Sequence, residues 1–143
     1  MLIHAVRMTP KAFPYAGHPV IELPATAEPA AIGQALRTIL AAKPHESMDL
    51  PDWDKTLRLV PDGLGVKHWN EVMDGSIHVE IMRLRTDLQF IPSVNEPDPE
   101  GDEEYKRTFR LLRDRMLHTT TNVDDGELGR VALEALAQSS IAR

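Results

Sequence analysis

Ser76-Ile77-His78-Val79-Glu80-Ile81-Met82-Arg83-Leu84, then Thr86-Asp87, then Leu88-Gln89-Phe90-Ile91-Pro92, is the stretch that decides the fold class. Ile77, Val79 and Ile81 alternate with His78, Glu80 and Met82. A period of two marks a strand with one buried face. Thr86-Asp87 makes a tight turn, and Leu88 to Pro92 returns as the hairpin partner.

Upstream of this hairpin, Val66 to Met73 reads as a short helix with Trp69, Val72 and Met73 inward, ended by Asp74-Gly75. Thr56 to Val60 alternates like a strand, with Leu57 and Leu59 on one side and Arg58 on the other. Pro61-Asp62-Gly63 follows as a turn signal, and residues 44 to 56 read as a polar loop. Ile32, Ala35, Leu36, Ile39 and Leu40 form an apolar stripe at helical spacing. Thr26 is the expected N-cap of that helix, Pro29 sits in its first turn, and Lys43-Pro44 close it. Leu2 to Met8 and Val20 to Leu23 read as strands around a loop at residues 9 to 17.

Downstream, residues 95 to 104 form an acidic loop broken by Pro97, Pro99 and Gly101. Residues 105 to 121 suit either a helix, through Phe109, Leu112 and Met116, or a hairpin. The run Thr119-Thr120-Thr121 favours the hairpin, because β-branched side chains lose rotamer freedom in helices. Asn122 is the expected cap of a final helix, with Asp124, Asp125 and Glu127 in its first turn, where the helix dipole favours carboxylates. The sum is one α+β domain over residues 1 to 143: an antiparallel sheet of hairpins with three or so helices packed on it.

The final helix echoes the first. Thr26 to Leu36 aligns with Asn122 to Ala132 without a gap, pairing Gly33 with Gly129. Glycine inside a helix costs about 1 kcal/mol relative to alanine, so its presence one turn into both helices predicts a close approach to another element. Chance similarity between two amphipathic helices is the alternative.

The chain carries 22 acidic and 16 basic side chains, a formal charge of −6, and no cysteine. Disulfides, thiolate metal sites and cysteine nucleophiles are thereby excluded. The acidic balance disfavours direct binding to nucleic acid and suits a basic protein partner. No stretch approaches the roughly 20 apolar residues of a membrane helix, and the apolar start is too short for a signal peptide, so a cytoplasmic protein is expected.

Motifs for catalysis are sparse. His78 and Glu80 share a strand face and suggest a small hydrolase-like enzyme, with or without a divalent metal; a solvated strand face is the plainer reading. Glu96, Asp98 and Glu100 alternate before Gly101 as in a calcium loop, but the twelfth position is Arg107, so that loop is rejected. No catalytic residue, metal ligand or cofactor is therefore assigned. The candidate partner-binding residues come from charge: Asp49, Asp52 and Asp54 around Trp53, and Glu96, Asp98, Glu100, Asp102, Glu103 and Glu104. Tryptophan supplies an apolar anchor, and flanking acids steer a basic partner.

Two segments carry a resemblance. Thr120 to Leu136, with its acidic capped turn, Glu127-Leu128-Gly129 and Ala/Leu helix, resembles the closing segment of immunity proteins of contact-dependent growth inhibition systems. Leu64-Gly65-Val66-Lys67-His68-Trp69-Asn70-Glu71 resembles their Gly-Val-Lys-x-Trp-x-Glu segment. The resemblance implies a cytoplasmic protein that binds and blocks a cognate toxin, the C-terminal toxin domain of a large secreted effector, commonly a nuclease. These motifs are helix and turn signatures, so partner-binding residues do not carry over with them.

Overall fold

Asp87–Pro97, strand β4, is the axis of the main sheet in the computed structural model, which describes residues 1–8, 14–42, 52–101 and 106–142. Over its first half β4 lies between β3 (Val79–Leu84) and β6 (Leu117–Thr120), both antiparallel to it. Over its second half it lies between antiparallel β5 (Arg107–Leu111) and the parallel two-residue β7 (Ser140–Ile141). A separate hairpin pairs β1 (Leu2–Met8) with β2 (Pro14–Glu22). Among the described residues four helices complete the fold: α1 (Pro29–Ala41), α2 (Trp53–Leu64), α3 (Trp69–Met73) and α4 (Asp125–Gln138).

The alternation seen in the sequence places the core. Leu88 and Phe90 of β4 are fully buried against Ile32 and Leu36 of α1 and against Leu128, Val131, Ala132 and Ala135 of α4. Burial of side chains this large contributes about 1.5–3 kcal/mol each. Ile91, Ser93 and Asn95 point to the other face and are buried as well. Asn95 is a polar residue at zero exposure, and every group on its side chain is matched. Its Nδ2 donates to the carbonyls of Met73 (2.6 Å) and Ser76 (2.8 Å), and its Oδ1 accepts from Arg107 Nε (2.8 Å). Arg107 also donates to the carbonyls of Asn95 and Ala142, so one knot joins the α3 exit, β4, β5 and the C-terminal strand.

The two helical glycines do bring α1 and α4 together. A Cβ at Gly33 would lie 1.8 Å from the Asp125 carbonyl oxygen, and one at Gly129 would lie 1.8 Å from that of Pro29. The repeat pairs Pro29 with Asp125 as it pairs Gly33 with Gly129, so the two contacts exchange under a single pseudo-twofold operation.

Several expectations are corrected. Residues 53 to 64 are helix, not a loop, a strand and a turn. Strand β4 continues to Pro97, which removes Asn95, Glu96 and Pro97 from the acidic loop. Residues 107 to 120 do form strands, but β5 and β6 each pair with β4, separated by the 3-10 turn Arg113–Arg115, instead of forming a hairpin. Strand β2 starts at Pro14, inside the expected loop, and β3 starts at Val79, after the expected Ser76. The caps are Glu28 for α1 and Asp124 for α4, in place of Thr26 and Asn122; the Asp124 carboxylate accepts from Glu127 N at 2.8 Å. Lys43 and Pro44 lie outside the described residues.

Candidate functional site

The first acidic set gathers at the start of α2. Asp52 is the N-cap, accepting from the backbone N–H of Lys55 (3.4 Å) and from its ammonium (3.0 Å). Those hydrogen bonds from Lys55 hold its carboxyl below the usual carboxylate range. Asp54 follows in the first turn and is exposed. Asp49 lies outside the described residues, as does the side chain of Trp53, whose backbone opens α2.

An open groove of about 640 Å3 runs between α2 and β2. Val20 and Leu59 supply its apolar part, and Asp54, Lys55, Arg58 and Asp62 its charged part. Arg58 is held there by the Asp62 carboxylate and the Lys67 carbonyl. Asp54 is thus the residue through which the first acidic set reaches the groove.

The second set divides. Glu96 stands on β4, and its two carboxylate oxygens accept from Nε (2.8 Å) and Nη2 (3.1 Å) on one edge of the Arg110 guanidinium. That contact raises the Arg110 pKa and matches the Glu96 charge locally. Asp98 closes the turn beyond β4: its carboxylate accepts from Glu100 N (3.0 Å), and its own N–H donates to Lys106 O (2.9 Å). Glu100 is exposed. Asp102, Glu103 and Glu104 lie outside the described residues. Of the acids proposed from charge, Asp54 and Glu100 are the exposed carboxylates among the described residues that serve neither as a helix cap, nor as a turn acceptor, nor in an ion pair.

His78 is not on a solvated strand face. It precedes β3, and its ring packs on Phe109 with centroids 4.8 Å apart. Its Nδ1 is buried with no hydrogen-bond partner. Burial, with a smaller contribution from the charge of His4, pushes its pKa down to about 4. The nearby hydroxyls of Ser93 (2.7 Å) and Ser139 (2.9 Å) donate to the His78 backbone carbonyl, so they tie β3, β4 and the end of α4 together and do not address the imidazole. Among the described residues no group of three or more His, Asp or Glu side chains is placed to hold a metal ion.

Two features escaped the sequence reading. Lys106 just before β5, Arg107 and Arg110 on it, and Arg113 and Arg115 in the turn after it concentrate five cations in ten residues, and their crowding was visible in the sequence. Trp69 is the second. Pro61 lacks the N–H that would bond the Leu57 carbonyl within α2, and the Trp69 indole N–H donates to that carbonyl instead, at 2.9 Å.

No protein-family model matches this chain. No curated protein matches it either. Among solved structures it is similar to a protein of unknown function, NMB0488, from Neisseria meningitidis, with a TM-score of 0.72 and 14% sequence identity over 96% of this chain and 87% of that one. At that identity the likeness is one of fold. Among the described residues no helix is long and apolar enough to cross a membrane.

Proposed function

We propose that this chain is an immunity protein that acts in the cytoplasm: it binds and neutralises the cognate toxin domain of a contact-dependent growth inhibition effector, with a nuclease the expected toxin. The supporting observation is where the two resembling segments fall. Gly65 to Glu71 ends α2 and starts α3, with Gly65 in the left-handed region at φ 69° and Trp69 completing the hydrogen bonds of α2. Thr120 to Leu136 forms the capped helix that crosses α1 at Gly129. Both segments build the frame, as expected of a family whose members share a scaffold and differ in partner. Asp54 and Glu100 lie outside these segments and are exposed, on a chain of net charge −6. An acidic surface of this kind suits the basic substrate cleft of a nuclease.

Co-expression with the product of the adjacent gene tests the reading. A stable complex that survives purification, together with rescue of cells from that product, is the expected result. Absence of both sinks it.

A further inference from the structure

Asp-Gly occurs three times in the chain, at Asp62-Gly63, Asp74-Gly75 and Asp125-Gly126, and the fold treats the three differently. Asp62-Gly63 lies inside α2. Its carboxylate is bonded to Arg58, and a Cβ on its glycine would press on the Leu2 side chain at 3.3 Å. Asp125-Gly126 lies in the first turn of α4, and the Asp125 carboxylate accepts from Arg37 Nε at 2.7 Å. Asp74-Gly75 follows α3, outside helix and strand, and both of its residues are exposed.

Met73 to Ser76 form a type II turn. Asp74 has φ −69° and ψ 121°, Gly75 has φ 74°, and Ser76 N donates to the Met73 carbonyl at 3.3 Å. The positive φ reserves the third position for glycine. Asn95 Nδ2 holds both ends of the turn, the Met73 carbonyl at 2.6 Å and the Ser76 carbonyl at 2.8 Å. Those bonds do not hold the middle peptide, between Asp74 and Gly75. Turning it over converts type II to type I and leaves the ends in place. There is room for the motion, because a Cβ at Gly75 would meet nothing within 4 Å.

We propose that Asp74-Gly75 is a site of spontaneous modification, where the chain converts aspartate to isoaspartate and thereby loosens the Asn95 knot. The Gly75 amide nitrogen attacks Cγ of the uncharged Asp74 carboxyl. A C–N bond forms, the carboxyl C–OH bond breaks, and the hydroxyl leaves as water with the amide proton, giving a five-membered succinimide. Water then opens the ring. Opening at the Asp74 main-chain carbonyl routes the backbone through the side chain and adds one carbon between Met73 and Ser76. No oxidant, reductant or cofactor enters. Inside α2 and α4 the same attack needs the helix to open first, and local opening ranges from nearly free in exposed turns to the full unfolding cost in packed elements. With the extra carbon in place, the two carbonyls no longer meet Asn95 Nδ2 together, and a buried amide left unmatched destabilises the fold. The site is independent of the toxin-binding reading and stands or falls without it.

The full chain is aged at mildly acidic pH and body temperature and then digested with trypsin. Cleavage after lysine and arginine puts the three sites in separate peptides, Leu59–Lys67, His68–Arg83 and Met116–Arg130. Isoaspartate shows in each as a peptide of unchanged mass and altered retention. The expected result is accumulation in His68–Arg83 about tenfold or more faster than in the other two, a ratio that needs about 1.4 kcal/mol of extra opening at the helical sites. In guanidinium chloride the three rates are expected to converge. Asp74→Glu would have to close a six-membered ring, so it is expected to form no isomer in that peptide and to keep its urea midpoint on ageing. The isomerised fraction of the parent is expected to unfold at lower urea. Equal or faster isomerisation of a helical site in the folded chain, absence of isomer in His68–Arg83, or a rate ratio that persists in guanidinium chloride overturns the site. An isomerised chain that keeps the parent midpoint overturns the link to the Asn95 knot.

Discussion

A single methyl group is enough to test the helix crossing. Alanine at Gly33 or Gly129 would set a carbon 1.8 Å from a backbone carbonyl oxygen of the other helix, and backbone cannot rotate aside. Each substitution gains about 1 kcal/mol of helix propensity, yet each is expected to cost a net 3 kcal/mol or more, read as a lower urea midpoint. Gly65→Ala is the contrast. It has open space around it and only the left-handed strain at φ 69°, so about 1 kcal/mol is expected. Near-equal midpoints for all three variants would remove the close crossing. His78 gives a second residue-scale prediction. Its folded pKa of about 4 lies below the ordinary value of 6.5, so the unfolded chain takes up the proton first as pH falls. Stability is then full above pH 6.5 and declines between 6.5 and 4, by about 3 kcal/mol in all. Urea unfolding at pH 7, 5.5 and 4 checks it, and His78→Phe is expected to flatten that window. The glycines were legible in the sequence because the two segments repeat them in register. The burial of His78 was not, because alternation shows which residues share a face but not what covers that face.

The same limit explains the elements that were misread. Leu57-Arg58-Leu59 alternates, and Pro61-Asp62-Gly63 is a strong turn signal, so the local pattern of residues 56 to 63 argues against helix. Two compensations make α2 possible. Asp52 caps its start, and Trp69, twelve residues beyond Leu57, supplies the hydrogen bond that Pro61 removes. Trp69→Phe is expected to cost about 1 kcal/mol from that lost bond, beyond any change in packing. In a Pro61→Ala background residue 61 has its own N–H for the Leu57 carbonyl, so the cost of Trp69→Phe falls. A double-mutant cycle should give a coupling of about 0.5 kcal/mol or more, and strict additivity would refute the compensation. Strand β4 was cut short for a related reason. Asn95-Glu96-Pro97 reads as loop until Arg107, ten residues or more away, is seen to match both the side chain and the carbonyl of Asn95. The hairpin at residues 79 to 92 was legible because its stabilising contacts are local.

For the whole molecule, the two acidic loops became something narrower. Asp52, Glu96 and Asp98 act in a cap, an ion pair and a turn, which leaves Asp54 and Glu100 as the exposed and unengaged acids among the described candidates. If these steer a basic toxin, the association rate falls as salt rises, while dissociation changes less. Asp54→Lys with Glu100→Lys is expected to slow association about tenfold at low salt, measured by stopped flow, with the melting temperature unchanged. Salt-independent association would place the interface elsewhere, with the turn after β5, where Arg113 and Arg115 are exposed, as the natural alternative. The candidate site was legible only as charge, because composition counts carboxylates without showing which are engaged. The glycine crossing also has a kinetic side. Residues 42 to 124 separate α1 from α4, and closing a flexible loop of that length costs about 4 kcal/mol of chain entropy. The β3–β4 hairpin lies inside that loop and shortens it once formed. The expected order is hairpin first and helix docking last, so the glycine crossing acts chiefly as a brake on unfolding.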